Sequence, residues 1–193
     1  MITWHEFERQ QSALAQAGRR QLYQIGIGLA FLATIRPNGG PRVHPVCPVI
    51  SAAGLHLLIV PGPKQADLRR DGRYALHSET CPPPRQDDGF SLTGRAREII
   101  DPQVSEVVRG QVRAERDGEV WPGFEEEAVF ELGIERCLLV QTRAEGAFPA
   151  GPTSWRAGGQ AVPGGRGPLR YRYLAVAQGS RGPGPARKGL ATR

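Results

Sequence analysis

The sequence predicts a mainly β, antiparallel, barrel-like domain with a few short flanking helices. About six extended segments follow one another between residues 29 and 142, separated by turns dense in Gly, Pro and Asn. Helical patterning is limited to short stretches, and strands and helices do not alternate in the βαβ rhythm of a parallel sheet. No internal repeat is visible.

Taken in order, residues 3–17 place Phe7, Leu14 and several alanines among Glu, Gln and Arg, the pattern of a helix that Gly18 would end. Residues 29–35 read as a strand, and Arg36-Pro37-Asn38-Gly39-Gly40-Pro41 is a turn containing Asn-Gly. Residues 42–50 are extended, because Pro45 and Pro48 exclude helix and hold their predecessors in the β region. The same prolines mark an edge or bulged strand. Ser51-Ala52-Ala53-Gly54 turns the chain into a strand over 55–60, so this part of the chain reads as a three-strand meander. Pro63 opens a short helix to Arg70, and a strand over 73–78 leads into a loop with three consecutive prolines. Residues 90–100 form a long strand with a bulge at Gly94. Asp101-Pro102 starts a helix as cap followed by first helical residue, with Val104, Val107 and Val108 on one face. Residues 128–142 form a last strand, or two with a break at Gly133.

At 193 residues and 39% apolar content the chain is sufficient for one domain with a real core. No signal peptide opens it, and the apolar run over 25–35 is far short of the ~20 residues of a membrane helix. Three widely spaced cysteines without a Cys-x-x-Cys pair argue against a disulfide framework or zinc site, and for a reducing cytoplasm. Cys47 and Cys137 lie in apolar runs and are expected to be buried. The net charge of +6 divides unevenly: from Arg156 onward seven arginines, one lysine and no acid give +8, leaving −2 on the other 155 residues. The basicity therefore belongs to a Gly/Pro/Arg-rich tail, expected to be partly disordered, and is weak evidence for nucleic-acid binding. The expected organisation is an N-terminal helix (1–20), a barrel domain (21–156) and that tail (157–193).

Gly26-Ile27-Gly28 is no dinucleotide fingerprint, since it precedes a strand and Phe31 replaces its third glycine. His44 and Cys47 fall on opposite faces of a strand with no carboxylate cluster, so no metal site is predicted. His56 is expected on the solvent side of its strand. Lys64 is one of only two lysines among 25 cationic residues. In the first turn of a helix its charge opposes the helix dipole, by ~0.3–1 kcal/mol. Either it pairs with Asp67 at i+3 on the surface, or an anion shares that helix end, where free N–H groups and an ammonium make a phosphate site. Arg42 is either an ordinary cation beside a turn or a second cation converging on the same phosphate. Unpaired backbone over 43–46 would be free to meet a flat heterocycle.

Three pieces in order, LATIRPNGGPRVHPVCPVISAAGLHLLIVPGPKQADLRRDGRYALH, then DDGFSLTGRAREI, then Trp155-Arg156, resemble the pyridoxamine 5'-phosphate oxidase-like flavin-binding proteins, closest to small bacterial members of uncertain substrate. The resemblance covers roughly residues 22–156 and implies a six-stranded antiparallel split β-barrel. It further implies a homodimer, with flavin mononucleotide (FMN) or a deazaflavin relative in grooves at the interface. By the same resemblance Arg42 and Lys64 contact the cofactor phosphate, Val43, His44 and Pro45 pass along the isoalloxazine ring, Ile59 and Val60 face it, and Trp155 lies near it. Gly62-Pro63 stands where the family often has Ser-Arg or Ser-Pro, so this chain offers the phosphate no hydroxyl there. The tail lacks the Arg-x-His pattern of true pyridoxamine phosphate oxidases, so vitamin B6 oxidation is not expected.

The implied function is a cytoplasmic, FMN-dependent oxidoreductase transferring hydride to or from an unidentified small substrate. No acid–base residue is compelled, with His44 the one nearby titratable group. A deazaflavin-dependent reductase and a non-catalytic flavin- or haem-binding protein are the alternatives.

Overall fold

The computed structural model describes residues 1–79, 88–142 and 151–164, so Cys81, the triple-proline loop and most of the basic tail lie outside the described residues. Two helices open the chain, α1 (Trp4–Gln10) and α2 (Ser12–Leu22). Thr3 caps α1 in a reciprocal box with Glu6, which satisfies two otherwise orphaned backbone donors. The predicted single helix is therefore two, broken at Gln11, and Gly18 lies inside α2 instead of ending it. Its missing side chain has a use in packing: a Cβ there would sit 2.4 Å from the ring of Phe90.

The sheet strands are β1 (Ala30–Ile35), β2 (Pro41–Val46), β3 (Pro48–Ser51), β4 (Gly54–Ile59), β5 (Arg73–Ser78), β6 (Gly89–Glu98), β7 (Ala128–Gln141), β8 (Gly151–Arg156) and β9 (Val162–Pro163). Helix α3 (Pro63–Arg70) links β4 to β5, and α4 (Pro102–Ala114) links β6 to β7. All pairings are antiparallel, in the order β2-β1-β5-β6-β7-β4-β3, with β8 added to β7 and β9 to β8.

Nine strands stand where six were predicted, for two reasons. The predicted strand over 42–50 breaks at Cys47 into β2 and β3, and two unpredicted strands are added, β8 at the end of the expected domain and β9 past its boundary at 156. Consequently there is no three-strand meander. β2 and β3 are joined by one residue yet occupy the two ends of the strand order, so the sheet curls round and meets itself at a seam that is not a hydrogen-bonded ladder. Pro41, Pro45 and Pro48 all lie on these two end strands, where a missing N–H breaks no ladder. This is a split barrel.

The β6–β7 register shifts between Thr93 and Gly94, opposite the unpaired Glu135, as a bulge. Gly94 is required by close approach, since a Cβ there would lie 1.9 Å from the Gly133 carbonyl oxygen. The main core gathers Leu32, Leu57, Leu76, Phe90, Leu92 and Phe130 inside the barrel, with Trp4 and Phe7 of α1 packed onto it. A smaller cluster joins Val108 and Val112 of α4 to Val49, Phe124 and Val129. Asp101 caps α4 by accepting from the Gln103 N–H at 2.8 Å. The inward face of α4 is thus Val108/Val112, and Val107 is exposed.

Two sequence expectations are corrected by burial. His56 is 1% exposed, because the β4 face opposite the core is itself covered: its cross-strand partner Val49 and its same-face neighbour Leu58 pack into the α4 cluster. Burial lowers the His56 pKa, against hydrogen bonding at Gly54 and the Glu131 charge. Cys47, at the seam between β2 and β3, is exposed, whereas Cys137 is buried and its thiol is pushed up to about 12 by desolvation. No helix among the described residues is long and apolar enough to cross a membrane.

Candidate functional site

The turn after β4 ends in Gly62, whose φ of 154° suits glycine and which caps α3 without any side chain. Pro63 then starts the helix and has no N–H of its own. The first-turn N–H groups of α3 accordingly meet no side-chain acceptor, and Lys64 stands among them half-buried. On β2, alternation directs Arg42, His44 and Val46 to the less exposed face and Val43 and Pro45 outward.

Arg42 is fixed to α3 by Asp67, the carboxylate predicted as a partner for Lys64. Arg42 Nε donates to Asp67 Oδ2 at 2.8 Å, Thr34 Oγ1 donates to the same oxygen at 3.1 Å, and Arg70 donates to Oδ1 at 3.1 Å. Burial alone would push the Asp67 pKa up. The hydrogen bonds from Arg42, Arg70 and Thr34 outweigh it and hold the carboxyl below its ordinary value. Lys64 forms no ion pair with Asp67, and desolvation lowers its pKa against the opposing charges of Glu127 and Cys47.

His44 lies between these cations. Its pKa is lowered first by desolvation and then by the charges of Lys64, Arg42 and Arg36. Its Nε2 is buried without a hydrogen-bond partner. A neutral imidazole with an orphaned ring nitrogen thus faces a cluster of positive charge at an uncapped helix start. A cleft of ≈180 Å³ opens beside it, lined by Pro45, Val60, Lys64, Arg116, Trp121 and Glu127.

The structure brings Arg42, His44 and Lys64 together, and Pro45 and Val60 share the cleft with Lys64. Val43 projects from the outward face of β2. Ile59 is fully buried in the core, and its neighbour Leu58 lines the cleft in its place. Trp155 lies elsewhere: it is 2% exposed, tilted against Phe7 at 5.0 Å, with Nε1 donating to the Gly159 carbonyl at 2.9 Å. It borders a second cleft, of ≈400 Å³, which shares no lining residue with the first.

Sequence reasoning missed Asp67 as the residue that orients Arg42, and missed Arg116 and Trp121 altogether. Asp67 was visible at i+3 from Lys64, but its true partner is 25 residues away. Arg116 and Trp121 come from the segment after α4 and carry no local pattern.

As a donor set, two cations, an uncapped helix start and a neighbouring hydrophobic strip match a phosphate joined to a flat, largely apolar body. Among the described residues there is no His/Cys/Asp/Glu grouping able to hold a metal ion.

No family model matches the chain, and no curated protein matches it. Solved structures do. A pyridoxamine 5'-phosphate oxidase-related, FMN-binding protein from Nostoc punctiforme aligns with TM-score 0.56 at 13% identity, over 81% of this chain and 96% of that one. ChuZ of Campylobacter jejuni aligns with TM-score 0.57 at 10% identity, over 76% and 61% of the two chains. A haem-binding protein from Mycobacterium smegmatis aligns with TM-score 0.52 at 15% identity, over 72% and 57%. The chain has the split β-barrel fold of the pyridoxamine 5'-phosphate oxidase-like proteins.

Proposed function

We propose that the protein is a cytoplasmic, FMN-binding oxidoreductase that acts as a homodimer on a small substrate. The observation that carries this is the cationic pair Arg42 and Lys64, with neutral His44 beside them, at the uncapped start of α3. Arg42 would hold the cofactor phosphate through the guanidinium nitrogens that Asp67 does not use, with Lys64 as a point charge and the α3 N–H groups as further donors. Val43, His44 and Pro45 would run along the ring with Val60 at its edge, the backbone of Ile59 supporting that strand end. Trp155 would support the wall of the second cleft from within the core. When bound, a flavin supplies hydride acceptance and donation, while the chain supplies binding, orientation and exclusion of water. A neutral His44 is suited to accept a hydrogen bond at Nε2.

Dimerisation has its own support. Cross-strand pairing sets Pro45, Phe31, His77, Ser91, Leu138 and Ser154 in one row across the outer face of the sheet. Phe31 and Leu138 are each 40% exposed, two large apolar groups on an otherwise uncovered face. A two-fold axis between β5 and β6 would set Phe31 on the partner's Leu138 and Pro45 near the partner's Ser154. The Lys64 cleft of one protomer would then approach the Trp155 cleft of the other, which explains why a cleft of only ≈180 Å³ could serve a cofactor.

The experiment is mass spectrometry and a visible spectrum on the ligand that copurifies, followed by titration of the stripped protein with FMN and riboflavin. FMN binding much tighter than riboflavin is expected. A deazaflavin or haem spectrum, or equal affinity for the two flavins, would replace the FMN assignment.

A further inference from the structure

Where β8 branches from β7, two arginines face each other. β7 and β8 pair with Arg136 directly across from Arg156, so both side chains leave the same face. On the other side of β7 the bulge at Glu135 sets Arg136 opposite Thr93 of β6. Like charges directly opposite one another destabilise a strand pair. Among the described residues neither guanidinium has a carboxylate partner, and Glu135 forms no ion pair with either.

The surroundings are donors without an acid. The cleft of ≈400 Å³ that holds both arginines is also lined by Ser91, Thr93, Ser154 and Gln160. None of these four side chains is engaged in a hydrogen bond within the described residues. Leu138 and Val162, both exposed, flank the polar floor. The volume falls within the ~300–1,000 Å³ typical of small-molecule sites. Two unneutralised guanidiniums, free hydroxyls, an apolar rim and no carboxylate form the complement of an organic anion. A solvated surface pair would need none of this concavity.

We propose that this cleft binds a small organic oxyanion, a carboxylate or phosphate on an apolar body, gripped between Arg136 and Arg156. Each guanidinium offers a planar fork of N–H donors to the oxyanion, and the bound charge removes the repulsion between the strands. Its lining residues are not those of the Lys64 cleft, but the proposed dimer sets the two clefts against each other, so this inference rests on that reading for its place beside the cofactor.

The test uses the full-length chain in the Lys64→Ala background, so that the α3 face does not contribute to anion binding. Benzoate and inorganic phosphate are titrated by calorimetry at low ionic strength, against Arg136→Gln, Arg156→Gln and the double substitution. Saturable binding of at least one probe is expected, weakened about tenfold or more by the double substitution and less by each single one. Relief of like-charge repulsion predicts that each single variant is at least as heat-stable as its parent without anion, and that the anion-induced rise in Tm shrinks. Benzoate binding without phosphate binding identifies a carboxylate site, and the reverse a phosphate site. Absence of saturable binding by both probes, or affinity unchanged in the single and double variants, would overturn the proposal. FMN binding, measured separately in the Lys64-containing protein, tests the cofactor reading, and absence of probe binding with FMN binding intact overturns the anion site alone.

Discussion

Replacing Asp67 with alanine tests how the phosphate-side cations are held. The carboxylate is 2% exposed and accepts from Thr34, Arg42 and Arg70. Its removal leaves the buried Thr34 hydroxyl without an acceptor, which costs about 1–3 kcal/mol. The Arg42 side chain, 22% exposed, loses its fixed partner, while Arg70 at 38% can turn to water and adds little. Losing the carboxylate also removes its desolvation penalty, so the net lies at the low end of the ~3–5 kcal/mol typical of breaking a buried pair. A loss of about 3 kcal/mol corresponds to a fall in Tm of about 6–12 °C for a chain of this size. The pH dependence has a definite sign. A carboxyl whose folded pKa is lowered stabilises the fold above its unfolded value of about 3.9, and that contribution disappears as the pH falls through the folded value. Calorimetric melts of wild type and Asp67→Ala should therefore differ most near neutrality and converge below about pH 4. A Tm difference under about 1 °C at pH 7, or one equally large in acid, would refute the reasoning.

Three further outcomes follow from the geometry. Gly94→Ala forces a Cβ to within 1.9 Å of the Gly133 carbonyl, and because both sides are backbone it should lower Tm by more than the Asp67 substitution or abolish soluble expression. Phe31→Glu puts a charge on the uncovered apolar row, and light scattering after gel filtration should show the protomer mass in place of a dimer, with the melt little changed. Cys47 should react with a thiol reagent in the native protein while Cys137 stays protected, and bound cofactor should slow the Cys47 reaction; peptide mapping by mass spectrometry reads both.

Much of the barrel was legible in the sequence because its signals are local. The Asn-Gly turn, the bulge at Gly94 and the Asp101-Pro102 helix start are each written within a few residues. Pro45 and Pro48 correctly announced edge strands. What they could not announce is that two different edges were involved, since the seam at Cys47 is set by closure of the whole sheet. His56 failed for a related reason: alternation assigns a face, and only tertiary packing decides whether a second layer covers it. At the candidate site, Arg42 and Lys64 stood out as cations beside turns. Asp67 looked like a local partner for Lys64, yet a buried carboxylate takes the donors that the fold delivers, here from β1, β2 and α3. The Arg136–Arg156 pair was invisible because register between β7 and β8 is not encoded in either segment alone.

The central claim is that the start of α3 holds a phosphate, and Lys64→Ala measures it most directly. Stripped wild-type and variant protein are titrated with FMN and with riboflavin under the same salt conditions. The account predicts that the variant loses about tenfold or more in FMN affinity, while riboflavin affinity, which has no phosphate to offer Lys64, changes little. Equal loss for both ligands, or unchanged FMN affinity, would contradict it.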